Sequence, residues 1–213
     1  VEYPNDFYEV ALAFGKFQNQ LSDFPAEILF ETIPNFHNTI IRYANFKNAV
    51  EKDIRNRAKD VKEEIQFYID RESEAGIAVE MLNNNQLPLR VTHNDTKLNI
   101  ILIDRDTRKA ICVIDLDTVM PGLSINDYGD SIRFGANKAL EYDPDFTKAG
   151  LDLNLFEYYT KGFLEGVNGS LTKNEIEMLP MGAKLMTYEC GIRFLTDYLE
   201  GDTYFKISRE HHN

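Results

Sequence analysis

His93-Asn94-Asp95-Thr96-Lys97-Leu98-Asn99 is followed at once by Ile100-Ile101-Leu102-Ile103-Asp104, and a second apolar run, Ala110-Ile111-Cys112-Val113-Ile114, delivers Asp115-Leu116-Asp117. Runs of this length, rich in β-branched residues and bounded by polar turns, read as buried strands. The connection from Asp104 to Lys109 is polar and of hairpin length, so the two strands form a hairpin. Each strand has an acid beside it: His-x-Asp stands where the first begins, and Asp115 stands where the second ends. Phosphoryl transfer asks for such a placement, because its catalysis is mostly positioning and charge neutralisation. One carboxylate serves the attacking hydroxyl and others hold Mg²⁺.

Outward from the hairpin the chain reads as helices. Towards the N-terminus, Phe7, Val10, Ala11, Phe14, Phe17, Gln18 and Leu21 recur at helical spacing, with Asn5 or Asp6 available as a cap. Pro25 closes the connection, and Ile28 to Asn38 is a loop whose aromatics fill core. His37, inside it, reads as structural or solvated, since no second His or Cys stands at metal-ligand spacing. From Asn45 to Asn85 the pattern is continuous helix, with Gly76 marking a break between two members of a surface hairpin. The charge run from Lys59 to Glu64 is a solvated face. Asn83-Asn84-Asn85 and Pro88 end the helical stretch.

Beyond the hairpin, Pro121-Gly122 makes a turn, Asp127 to Gly135 begins another helix, and Leu151 to Gly166 carries one more helical face. Thr172 with Glu175 three residues later is a capping box, which opens a long helix that adjusts at Pro180 and ends at Gly201. The expected fold is therefore mainly α with a small β-hairpin (α+β), in one domain over residues 1–213.

The balance of 43% hydrophobic and 27% charged residues is that of an ordinary globular protein. A formal net charge of −12 argues against nucleic acid or an anionic membrane as partner. Of the two cysteines, Cys112 falls in the apolar strand and Cys190 in a helical pattern, so both are expected as buried, reduced thiols of a cytoplasmic protein. No stretch approaches the ~20 apolar residues of a membrane span, and no signal peptide is visible.

His-x-Asp-x-Lys with a nearby Asn, then a hairpin, then Asp, resembles the catalytic and metal loops of the protein-kinase-like fold. The forms His93-Asn94-Asp95-Thr96-Lys97-Leu98-Asn99 and Val113-Ile114-Asp115-Leu116-Asp117-Thr118-Val119-Met120-Pro121-Gly122 look like the aminoglycoside phosphotransferase superfamily, and closest to its N-acetylhexosamine 1-kinase branch. The likeness extends through Ile125 to Gly135 and from Gly191 to Tyr204. It implies a kinase C-terminal lobe using ATP and Mg²⁺ on a small-molecule sugar. Kinases of this fold hold ATP between two lobes. Here the catalytic Asp comes only at position 95 after a helix, no Gly-x-Gly-x-x-Gly occurs, and the N-terminal ATP-binding lobe is expected to lie outside this chain.

The resemblance also distributes roles. Asp95 is the candidate base, its plainer alternative a turn-capping Asp. Lys97 is placed against the transferred phosphate, or else is an ordinary surface lysine. His93 braces the loop. Asp115 matches the Mg²⁺ ligand, and Asp117 either shares the ion or, the preferred role, binds the turn at Pro121-Gly122. Asp130 resembles the acid that hydrogen-bonds the catalytic-loop backbone. Arg193 and Tyr204 match positions placed against the sugar. One departure stands out: the second metal ligand of the fold is an Asn five residues after the catalytic Asp, where this chain has Ile100, with Asn99 one residue earlier. If strand register is kept, Ile100 faces the metal and Asn99 points away; if the loop tightens, Asn99 serves instead. The first is expected. Two rivals remain, an Asp-nucleophile phosphatase built on Asp115-x-Asp117, and a kinase-like module that binds without catalysis.

Overall fold

A computed structural model describes residues 3–141, 143–209 and 212. Helix α1 (Pro4–Gln20) starts with Pro at its first turn, where a missing N–H costs nothing. Its N-cap is Tyr3, with no side-chain cap bond, so neither Asn5 nor Asp6 plays the capping role expected of it. Phe7, Val10, Ala11, Phe14 and Gln18 form the buried stripe.

Helix α2 (Thr39–Lys52) is capped by Asn38 and stops at Asp53, a left-handed residue with φ 35°. Three short helices follow, α3 (Lys62–Ile69), α4 (Glu72–Ala75) and α5 (Ile77–Asn83). The continuous helix expected over 45–85 is thus broken well before Gly76. Asp53 is the cause: its Oδ1 accepts the backbone N–H of Arg57 at 2.8 Å and of Ala58 at 3.0 Å, a local alternative to the helical ladder. Gly76 does separate α4 from α5.

Strands β1 (Arg90–Thr92), β2 (Ile101–Ile103), β3 (Ala110–Val113) and β4 (Met120–Gly122) make two antiparallel pairs. In the hairpin β2–β3, Ile101 lies opposite Val113. Strand β4 folds back on β1, Thr92 opposite Met120, so Pro121-Gly122 is strand rather than turn. The hairpin is buried on one side only. Ile100 and Ile101 enter the core, while Leu102 and Ile111 are 48% and 64% exposed. Cys112 is also exposed, against the expectation of a buried thiol, because an apolar run does not say whether both faces of its sheet are covered. The phosphatase alternative needs a parallel sheet, and the described residues contain none.

Helix α6 (Ser124–Gly135) follows β4, then α7 (Leu153–Val167) and α8 (Lys173–Glu200). The capping box of Thr172 and Glu175 opens α8, which runs through Pro180 to a left-handed Gly201 at φ 102°. Glu175 also anchors the sheet, since Arg90 donates to both its carboxylate oxygens, at 2.5 and 2.7 Å, and this fixes the start of β1. Helix α7 lies along α1, and α8 is sandwiched between α6 and α2. Phe7, Phe14, Tyr128, Tyr159 and Phe163 centre the main core; Tyr43, Phe46, Tyr188 and Ile192 centre a second core beneath α2 and α8. Among the described residues, no helix is long and apolar enough to cross a membrane.

The α1–α7 contact is made backbone to backbone. A Cβ on Gly162 would stand 2.3 Å from the Tyr8 carbonyl oxygen, and no rotamer relieves a clash with backbone. Gly162→Ala is expected to cost about 1–3 kcal/mol by overpacking, read as a lower urea midpoint at unchanged m. An unchanged midpoint would show that the helices can part without loss.

Candidate active site

Between β1 and β2 the chain makes a loop that other elements grip from several sides. Asp127, in the first turns of α6, accepts the His93 N–H on one carboxylate oxygen at 2.9 Å and the Asn94 N–H on the other at 2.7 Å. Gln18 of α1 adds a third donor at 2.8 Å. Burial pushes the Asp127 pKa up, against these three donors, which pull it down. The Thr96 hydroxyl donates to the Asp127 carbonyl, and Ser131 donates to the Thr96 carbonyl at 2.6 Å. Asn94 takes a left-handed φ of 66°, which Asn tolerates better than most residues. Its side-chain amide donates to the Thr118 carbonyl at 3.0 Å.

The acid that holds the loop backbone is therefore Asp127, not Asp130. Asp130 is the next acid on the same helix and turns instead to Arg133, 2.9 Å away. Arg133 also reaches Glu141, at 2.7 Å. Nearly every residue of α6 is buried, so periodicity could not rank one acid above the other.

What the loop presents is Asp95 and Lys97, ion-paired at 2.9 Å and each about one-third exposed. Burial lowers the Lys97 pKa, but Asp95 and the more distant charges of Asp130 and Glu141 outweigh it, so the pKa is raised and the amine stays protonated at neutral pH.

The hairpin brings its far end back to the same place. His93 Nε2 meets the Ile114 carbonyl at 3.0 Å, which fixes the tautomer with the proton on Nε2, and the Ile114 N–H donates to Ile100 O, also at 3.0 Å. Those two bonds set Asp115 beside the loop, in a left-handed conformation with φ 62°. The pairing that joins Ile101 to Val113 and Ile100 to Ile114 makes Asn99 and Asp115 the next step along the ladder. Asn99, Asp115 and Asp117 are exposed, and among the described residues none of their side chains has a hydrogen-bond or ion-pair partner. Asp117 accordingly makes no bond to Pro121-Gly122, the structural role expected of it.

Ile100 does not face this cleft. It is 3% exposed and belongs to the main core. The turn Leu98–Ile100 is a short 3₁₀ helix, and it brings Ile100 inward while leaving Asn99 at the surface. Asn99→Ala is therefore expected to raise the Mg²⁺ concentration needed for half-maximal activity without loss of stability. Ile100→Asn should instead cost roughly 3 kcal/mol of stability by putting an amide into the core. Unchanged Mg²⁺ dependence in the first variant, or unchanged stability in the second, would contradict this assignment.

A model of the phosphotransferase enzyme family matches residues 1–161 of the 213. The chain belongs to that family. The matched span runs from α1 into α7 and so includes the gripped loop, both strand pairs and α6. For a phosphotransferase, the donor set of Asp115, Asp117 and the Asn99 amide suits Mg²⁺, a hard cation that takes one or two carboxylates and completes its shell with water and phosphate oxygens. No three His, Cys, Asp or Glu side chains converge as a protein-only cage among the described residues.

Arg193 and Tyr204 lie beyond the matched span but in contact with each other. The guanidinium is 5.5 Å from the ring centroid, and its Nη2 donates to the Tyr204 hydroxyl at 3.3 Å. Both line a cleft of about 340 Å³ with Arg42, Asn45, Asn48 and Thr196. Burial and the charge of Arg193 lower the Arg42 pKa. Burial raises the pKa of Cys190, against the nearby charges of Arg133 and Arg193, which lower it.

Proposed function

We propose that this chain is the catalytic part of an ATP- and Mg²⁺-dependent kinase that phosphorylates the anomeric hydroxyl of an N-acetylhexosamine. One observation carries the reading: Asp95 and Lys97 head a loop gripped by α6, and the hairpin returns Asp115 and Asn99 to its side. Asp95 accepts the proton of the acceptor hydroxyl as the hydroxyl oxygen bonds to the γ-phosphorus and the bond from that phosphorus to the bridging oxygen breaks, releasing ADP; the proton transfer is worth ~10²–10⁴-fold. Lys97 leaves Asp95 for the phosphate and offsets its charge. Mg²⁺ held by Asp115, with Asn99 and Asp117 nearby, would neutralise the β- and γ-phosphate oxygens. Arg193 and Tyr204 are the sugar contacts of this account, the ring stacking against an apolar sugar face and the guanidinium donating to its oxygens.

In the same reading the nucleotide is covered by a lobe outside this chain, and the enzyme is cytoplasmic. Donors from one lobe alone leave MgATP weakly held, at roughly millimolar affinity. Micromolar MgATP binding by these 213 residues in a calorimeter would overturn that part. The whole reading is tested by incubating the enzyme that contains this chain with γ-labelled ATP and a panel of sugars, and separately with a phosphomonoester. Label in an N-acetylhexosamine 1-phosphate supports it. Label in another acceptor overturns the substrate, phosphomonoester hydrolysis overturns the reaction, and silence in both favours a non-catalytic module.

A further inference from the structure

His37 lies far in sequence from the catalytic loop, yet its ring, 11% exposed, bridges that loop and α8. Nδ1 stands 2.8 Å from a carboxylate oxygen of Glu189, and Nε2 stands 3.0 Å from the Asn94 carbonyl. Both partners only accept. A neutral imidazole has one N–H and one lone pair, so it satisfies one contact and sets a lone pair against an acceptor at the other. Only the imidazolium satisfies both. Glu189 is itself 2% exposed and receives the Thr39 hydroxyl at 2.9 Å, which orients its second oxygen.

We propose that His37 and Glu189 form a protonation-dependent clamp on the catalytic loop, in which the imidazolium donates to the Asn94 carbonyl and so orients the peptide that leads into Asp95. That carbonyl belongs to the same peptide unit as the Asp95 N–H. Asp127 holds the loop by two N–H groups from α6, and His37, in the turn before α2 and braced by Glu189 of α8, holds it by a C=O. Without the second grip the Asn94–Asp95 peptide is free to rotate, and the carboxylate loses its aim. His37 is thus a positioning residue that acts through Asn94 and touches no substrate.

The charges that face the ring favour protonation. Glu189 lies on α8 and Asp130 on α6, and Arg42 of α2 acts on Glu189. Glu27 and Glu31 line the same cleft of about 380 Å³ that His37 borders. Burial lowers the His37 pKa, but Glu189, the Asn94 carbonyl and Asp130 outweigh it, so it is raised above 6.5. Burial raises the Glu189 pKa, but His37, Thr39 and Arg42 outweigh it, so it is lowered below 4.5. The His37 contribution to stability is therefore complete below pH 6.5 and is lost as pH rises through its raised folded pKa; the Glu189 contribution is complete above pH 4.5 and is lost as pH falls through its lowered one.

Two measurements test the clamp. The first uses this chain and needs no activity: long-range ¹H–¹⁵N correlation of the histidine rings across a pH series. Both His37 nitrogens should be protonated at pH 6, with a midpoint above 6.5; a single neutral tautomer at pH 6 would overturn the proposal. The second rests on the kinase reading and uses the whole enzyme. His37→Gln, which can donate to only one partner and does not titrate, should lower kcat about ten- to hundredfold, the scale of one charge-assisted hydrogen bond. It should leave KM for ATP within about twofold, since the variant disturbs aim rather than binding. It should also remove the alkaline limb of the pH–kcat profile, and His37→Arg, permanently charged, should restore activity at high pH. A His37→Gln enzyme that keeps both the parent kcat and the alkaline limb would overturn the clamp. Should the enzyme prove inactive on every acceptor, the ring titration still decides the protonation state and the kinase reading fails by itself.

Discussion

Asp95→Asn in the enzyme is expected to lower kcat by ~10²–10⁴-fold while KM for both substrates changes little. The amide keeps the shape of the carboxylate and can still accept from Lys97, now 2.9 Å away, so the resting loop survives. It cannot take a proton from a hydroxyl. The interaction lost is one made chiefly in the transition state, which is why the effect falls on kcat rather than on binding. A variant that turns over at the parent rate would remove the base from this account. A variant that loses binding as sharply as turnover would show that Asp95 holds the acceptor instead.

The second large effect is expected one layer deeper, at Asp127. This carboxylate serves two backbone N–H groups with two different oxygens and takes a third donor from Gln18. Asp127→Asn keeps one acceptor and turns an NH₂ towards donors, so at least one buried N–H is left facing another hydrogen. Losing hydrogen bonds to a charged group and orphaning a buried donor costs about 3 kcal/mol. The unfolding midpoint in urea should fall accordingly, and kcat should fall with it because residues 93–95 are the part released. Circular dichroism and an activity assay on one preparation would check both. If the stability falls and the kcat of the folded fraction does not, Asp127 supports the fold without aiming the loop.

The parts of this molecule that depend on neighbours in sequence were readable from it. The stripe of Phe7, Val10, Ala11 and Phe14 is periodic, the Thr172–Glu175 box joins two side chains to two nearby N–H groups, and the hairpin follows from two apolar runs and a polar link. What depended on a choice between local alternatives or on distant partners was not. The break after α2 needs Asp53 to capture two nearby N–H groups, and nothing in a helical pattern announces that choice. Asp127 and Asp130 are both acids of one nearly fully buried helix, and only the fold shows which meets the loop. His37 sat in a loop of aromatics with nothing to single it out, because its partner, Glu189, lies 152 residues away. Ile100 and Asn99 exchanged faces because three residues formed a 3₁₀ turn, a local change that apolar residues on both sides could not signal.

The central claim is that the end of the hairpin and the head of the loop form one metal and nucleotide site. Mn²⁺ substitutes for Mg²⁺ and broadens the resonances of residues near it, so a titration of this chain with Mn²⁺ and ATP, followed by ¹H–¹⁵N spectra, addresses it directly even when binding is weak. Selective broadening at 95–99 and 115–117, abolished by Asp115→Asn, is the predicted result. Broadening centred elsewhere, for example on the acidic loop of Asp143 and Asp145, with residues 95–99 and 115–117 unaffected, would contradict it.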